Sequence, residues 1–174
     1  MKNLLVISSL ALAVISGSAL ADSGEVQFLG VVANTTCKVT PEVNGSVSNL
    51  VQLGTAQTNG VGPVVSFALK GDPTQSGCDT AALTGKTASI GWSGSFDSNG
   101  LKAQSGSATD AWTAIKTVNA SGTPVQSINS THLSSDFSAT DVVSTTGAQY
   151  TAQLNGGTIA GDYQSAAAYV VAYN

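Results

Sequence analysis

Few residues in this 174-residue chain have the chemistry for catalysis or metal binding: one histidine, two cysteines and ten scattered acids. His132, in Ser130-Thr131-His132, could serve as a general base for a neighbouring serine. No Gly-x-Ser-x-Gly elbow fixes such a nucleophile, so a solvated loop histidine is the plainer reading. Asp136 and Asp141 would suit glycoside hydrolysis only at a separation that sequence distance does not give. One histidine and two cysteines cannot complete a zinc shell, and the acids do not form an Asp-x-Asp calcium loop. The expectation is a protein with no enzymatic activity, no metal and no cofactor.

The cysteines point elsewhere. Residues 1–21 have the build of a signal peptide, with Lys2 as the positive end, an apolar run from Leu4 to Ile15, and Ala19-Leu20-Ala21 as a small-x-small cleavage signal. The run is about a dozen residues, short of the ~20 that a membrane span needs. An exported chain enters an oxidising compartment, where Cys37 and Cys78 are most simply a disulfide, with a free thiol as the competing reading. The chain carries six basic residues, none of them arginine, against ten acids for a net charge of −4, and loss of Lys2 with the leader makes it more acidic. Nucleic acid is a poor partner for such a surface.

The elements that must position these residues read as strands. Beyond the leader, helical periodicity is not sustained, and short alternating runs take its place. They are residues 25–39, 48–56, 64–69, 87–92, 112–118, 148–154 and 163–173. Turn signals separate them, among them Asn44-Gly45, Asn59-Gly60, Ser98-Asn99-Gly100 and Asn155-Gly156-Gly157. Residues 98–110 and 129–143 lack clear alternation and read as loops or short edge strands. About seven strands in one domain predict an all-β sandwich.

The two ends of the mature chain stand out. Val26, Phe28, Gly30 and Val32 recur at every second residue after the leader, as do Tyr169, Val171 and Tyr173 at the C-terminus. Each set lines one face of a strand that needs a sheet partner. In order and spacing, the run from Gly24 through Val32, then Cys37, Leu53-Gly54, Gly77-Cys78-Asp79-Thr80, Tyr150-x-Ala152, Gly161 and the penultimate Tyr173 resemble the major subunits of bacterial chaperone–usher fimbriae, of the type 1 and P pilin kind. Within that family, Pro41-Glu42-Val43-Asn44-Gly45, Trp92-Ser93-Gly94-Ser95 and residues 150–154 are similar to major subunits of sialoglycolipid-binding enterobacterial fimbriae.

The resemblance implies an incomplete immunoglobulin-like β-sandwich lacking its final strand. It divides the chain into a signal peptide (1–21), an N-terminal donor-strand extension (22–32) and a pilin domain (33–174). Val26, Phe28, Gly30 and Val32 would be the donor strand, and Gly161, Tyr169, Val171 and Tyr173 the acceptor groove. It further implies a periplasmic chaperone, an outer-membrane usher, identical subunits as partners, and an extracellular, cell-surface adhesive filament as the product. A competing class is a carbohydrate-binding module. Lys102 and Lys116, flanked by Trp112, would pair with a sialic acid carboxylate of a host glycan while the indole covers the sugar. Against it stand two solvated lysines and a core tryptophan.

Overall fold

The computed structural model describes residues 37–174; the leader and the donor-strand positions Val26, Phe28, Gly30 and Val32 lie outside the described residues. Ten strands and two single-turn helices follow one another: β1 (Val39–Val43), β2 (Ser46–Val47), β3 (Val61–Gly71), α1 (Thr80–Leu83), β4 (Thr87–Gly94), β5 (Leu101–Lys102), β6 (Trp112–Thr117), β7 (Ser127–Ile128), β8 (Ser134–Ser138), α2 (Ala139–Val142), β9 (Ala148–Asn155) and β10 (Ala167–Tyr173).

They form a two-sheet, immunoglobulin-like sandwich. One sheet runs β2-β1-β3-β9-β6-β5 with β7 also on β6, and the other runs β10-β4-β8. Every pairing is antiparallel. Between the sheets, Tyr150 sits at the centre of an aromatic cluster, with ring centroids 5.3 Å from Phe67, 5.4 Å from Trp92 and 5.5 Å from Phe137. Burial raises its phenol pKa far above the ordinary value. Cys37 and Cys78 form a disulfide that ties the start of β1 to the N-cap of α1. Gly71 is packed against it: a Cβ there would lie 2.8 Å from Cys37 Sγ and 3.0 Å from Val143 Cγ1.

The Asn-Gly turns form where their chemistry requires. Asn44 and Asn59 are the two non-glycine residues with positive φ among those described, at 52° and 57°, a conformation asparagine tolerates. The expected strands at 64–69, 87–92, 112–118 and 148–154 are the cores of β3, β4, β6 and β9. Two expectations are corrected. Residues 163–173 shrink to a strand that starts at Ala167, because β4 ends at Gly94 and offers no ladder before it; of the expected strand 25–39, residues 25–36 lie outside the described residues and β1 starts at Val39. Residues 48–56 join no strand. Within the stretch 129–143, expected as loops or short edge strands, residues 134–138 form such an edge strand, β8, on β4. It puts only Ser135 and Phe137 into the core, too few bulky residues to show as alternation.

Candidate functional site

The C-terminal strand is an open edge. β10 is hydrogen-bonded to β4 from Ala167↔Gly94 to Tyr173↔Ala88, and no strand among the described residues pairs with its other side. Across from that side run residues 49–56, which belong to no ladder and line the gap. The local ties at their start are Ser48 N donating to Pro41 O at 3.0 Å and Leu50 N donating to Ser48 Oγ at 3.1 Å. Residues 49–53 and β10 thus form two banks with core exposed between them.

The gap is a groove in three connected stretches. The first encloses about 230 Å³, lined by Val51, Leu53, Phe67, Trp92, Ile115 and Tyr169 among others, so it opens directly onto the aromatic cluster. The second continues along Gly54, Thr55 and Ala56 on one bank and Gly161 to Ser165 on the other. The third ends among Ala108, Ala111, Leu154, Ile159 and Gly161. Tyr163 lines all three.

The expected acceptor residues divide between groove and core. Gly161 and Tyr169 line the groove. Val171 is half-buried against the core, and Tyr173 is buried. Both tyrosines span the sandwich: Tyr169 OH donates to Val39 O at 3.0 Å and Tyr173 OH to Cys37 O at 3.3 Å. Burial pushes the Tyr173 phenol up to about 12. Gly161 has φ 151°, and a Cβ there would run into the Ser107 hydroxyl and sit 3.1 Å from Ala108 N. Its small size is therefore demanded by a close approach within the molecule.

That approach belongs to a strap. The loop at 103–110, read from sequence as featureless, holds the far bank of the groove where no sheet reaches it. Gln104 N donates to Gln164 O at 2.9 Å, and Ala108 N donates to Asp162 O at 3.1 Å. The Gln104 side chain donates to Ala166 O at 3.0 Å and accepts from Ala166 N at 3.1 Å. At the end, the Asp110 carboxylate accepts from Thr158 N and Thr158 Oγ1, both at 2.7 Å, and from Ile159 N at 3.2 Å. These hydrogen bonds, led by the Thr158 hydroxyl, hold its pKa below the ordinary 3.8.

Sequence reasoning missed Val51, Leu53, Thr113, Tyr163 and Ser165 as groove residues. A signal was present for two of them: Gly161, Tyr163, Ser165, Ala167 and Tyr169 share the parity of Val171 and Tyr173, so one face continues beyond the strand. The candidate receptor residues gather on the outer face of the larger sheet. Lys102 pairs in register with Trp112, which is half-buried and outside the core, and Lys116 is exposed further along β6. His132 is exposed with Nε2 2.7 Å from Gln126 Oε1, while Asp136 accepts from Ser89 Oγ at 2.6 Å. Among the described residues no three His, Cys, Asp or Glu side chains are grouped to hold a metal ion.

The groove, the disulfide and the C-terminal strand have counterparts to seek among known proteins. No family model matches the chain. It is 43% identical over 173 residues to the F107 fimbrial protein of Escherichia coli, covering 99% of both chains. It is 32% identical over 184 residues to the K99 fimbrial protein of Escherichia coli, covering 99% of this chain and 98% of the relative. A solved structure, the P pilus rod subunit PapA, is similar at 17% identity and a TM-score of 0.48 over 87% of this chain and 100% of its own. On the strength of the two full-length sequence relatives, the chain belongs to the family of fimbrial proteins, structural subunits rather than enzymes.

Proposed function

We propose that the chain is the major subunit of an adhesive surface fimbria and that it polymerises by donor-strand exchange. After removal of residues 1–21, the extension at 22–32 of one copy enters the groove beside β10 of the next, and residues 33–174 form the pilin domain that receives it. The observation that carries this reading is the apolar groove beside the unpaired edge of β10. A strand laid there would complete a ladder on β10 while Val26, Phe28 and Val32 plug the core. Burying three such side chains stabilises the contact by roughly 5–9 kcal/mol, at about 1.5–3 each. An open groove also explains a need for a periplasmic chaperone that fills it until an outer-membrane usher brings the next subunit.

The test is a denaturing gel of surface material from cells expressing the full chain. Wild type gives a multimer ladder that collapses on boiling, and Phe28→Asp abolishes it while monomer persists. A ladder that survives Phe28→Asp overturns the reading.

A second reading, that the subunit itself contacts a host glycan, is favoured by one observation: Trp112 is not a core residue and stands beside Lys102 across β5 and β6. Haemagglutination by purified polymer, lost on sialidase treatment of the cells and on Lys102→Gln, supports it. Agglutination indifferent to both rejects it.

A further inference from the structure

The floor of the groove is not uniformly apolar. Thr113 points inward from β6 and is 3% exposed, yet its hydroxyl has no hydrogen-bond partner. The buried Ser165 hydroxyl on the opposite bank has none either. Both line the same stretch as Tyr163, whose hydroxyl donates to Leu101 O at 2.9 Å. Leu101 is the register partner of Thr113, so one carbonyl and three hydroxyls converge on a single place. Burial raises the Tyr163 phenol pKa; the Thr113 and Ser165 hydroxyls lie close enough to the phenol to oppose that rise, though neither reaches hydrogen-bond geometry with it.

Buried hydroxyls without partners are penalised, and an apolar plug over these two would seal that penalty in. A position with no side chain leaves them open to a water molecule or to the main chain of the incoming strand. Among the donor residues Val26, Phe28, Gly30 and Val32, one alone lacks a side chain. We propose that Thr113, Tyr163 and Ser165 form a polar step in the groove floor that rejects an apolar side chain above it, and that Gly30 of the neighbouring copy is the residue that meets it. The inference rests on the donor-strand reading. It replaces the idea of a merely shallow pocket with a hydrogen-bonding requirement.

Size and polarity are separable, because serine and alanine differ little in bulk. At a shallow apolar step, Gly30→Ala assembles at least as well as Gly30→Ser. At a polar step the serine hydroxyl supplies the missing partner, and Gly30→Ser assembles about tenfold better than Gly30→Ala, the factor that corresponds to the net contribution of one hydrogen bond. The readout is the yield of boiling-sensitive multimers per folded, disulfide-bonded monomer in cells expressing the full chain.

Thr113→Val with Ser165→Ala in the acceptor removes the step and erases or reverses the preference. Tyr163→Phe, which keeps the ring in place, narrows it and stands in should the double variant not fold. Equal yields for Ser and Ala, or a preference unchanged by both acceptor variants, overturn the polar step. If Phe28→Asp abolishes the ladder in the same experiment, the donor-strand reading survives that result; if Phe28→Asp leaves it intact, the reading itself has failed.

Discussion

Removing the Cys37–Cys78 disulfide measures how far one covalent tie holds the open sandwich together. The bond joins residues 41 apart, and closing a loop of that length in the unfolded chain corresponds to about 4 kcal/mol by the chain-entropy argument. A small domain has about 5–15 kcal/mol in total, so the loss is a large fraction of it. The structure makes the consequence specific, because Cys37, just ahead of β1, and Val39, its first residue, carry the carbonyls that receive the Tyr173 and Tyr169 hydroxyls. Freeing the start of β1 therefore loosens the grip on β10 as well.

Urea unfolding of the monomeric chain is the assay. With a slope of about 2 kcal/mol per molar, Cys37→Ala with Cys78→Ala lowers the midpoint by about 2 M. Both sulfurs are buried, so the double variant also leaves a cavity beside Gly71. Wild type unfolded in reductant loses the tie without losing side-chain volume, and separates the two effects. A midpoint shift under about 0.5 M in reductant, less than about 1 kcal/mol, would refute the loop-closure reasoning.

Two further outcomes are expected. Tyr173→Phe removes a hydroxyl that donates to Cys37 O at 3.3 Å, costing about 1 kcal/mol and lowering the thermal midpoint by about 2–4 °C, whereas an unchanged midpoint means the bond contributes nothing. The Asp110 carboxyl, depressed below 3.8 by its bonds to Thr158, contributes to folding above that value and loses the contribution as pH falls through its lower folded value. Carboxyl NMR titration should find it there and find it raised in Thr158→Val, and a normal value in wild type contradicts the strap.

What could be read from sequence followed side-chain bulk. Ala148 to Leu154 sets Ala148, Tyr150 and Ala152 inward against Gln149, Thr151 and Gln153, and Phe67 and Leu69 point inward from β3, whereas β6 turns Thr113, Ile115 and Thr117 inward and leaves Trp112 half-buried on the other face; each of the three runs is a strand. The turns at Asn44 and Asn59 were legible because few residues other than Asn and Gly accept that backbone. Residues 48–56 misled, since Val51 and Leu53 alternate as in a strand while no ladder partner stands beside them. The strap at 103–110 and the polar step were hidden because they are built from Ser, Thr, Gln and Asp. Their role comes from partners more than 40 residues away, and composition carries no trace of such pairings.

The placement of Cys37 also decides how the molecule bears tension. A pull on the chain ahead of Cys37 passes through the disulfide into α1 and reaches the last residue of β10 through the Tyr173 hydroxyl. The load is thus shared at once between the two sheets, and β1 is spared being peeled from β3 one hydrogen bond at a time. In a filament dragged by flow, each subunit would stretch as a whole before any single strand gave way.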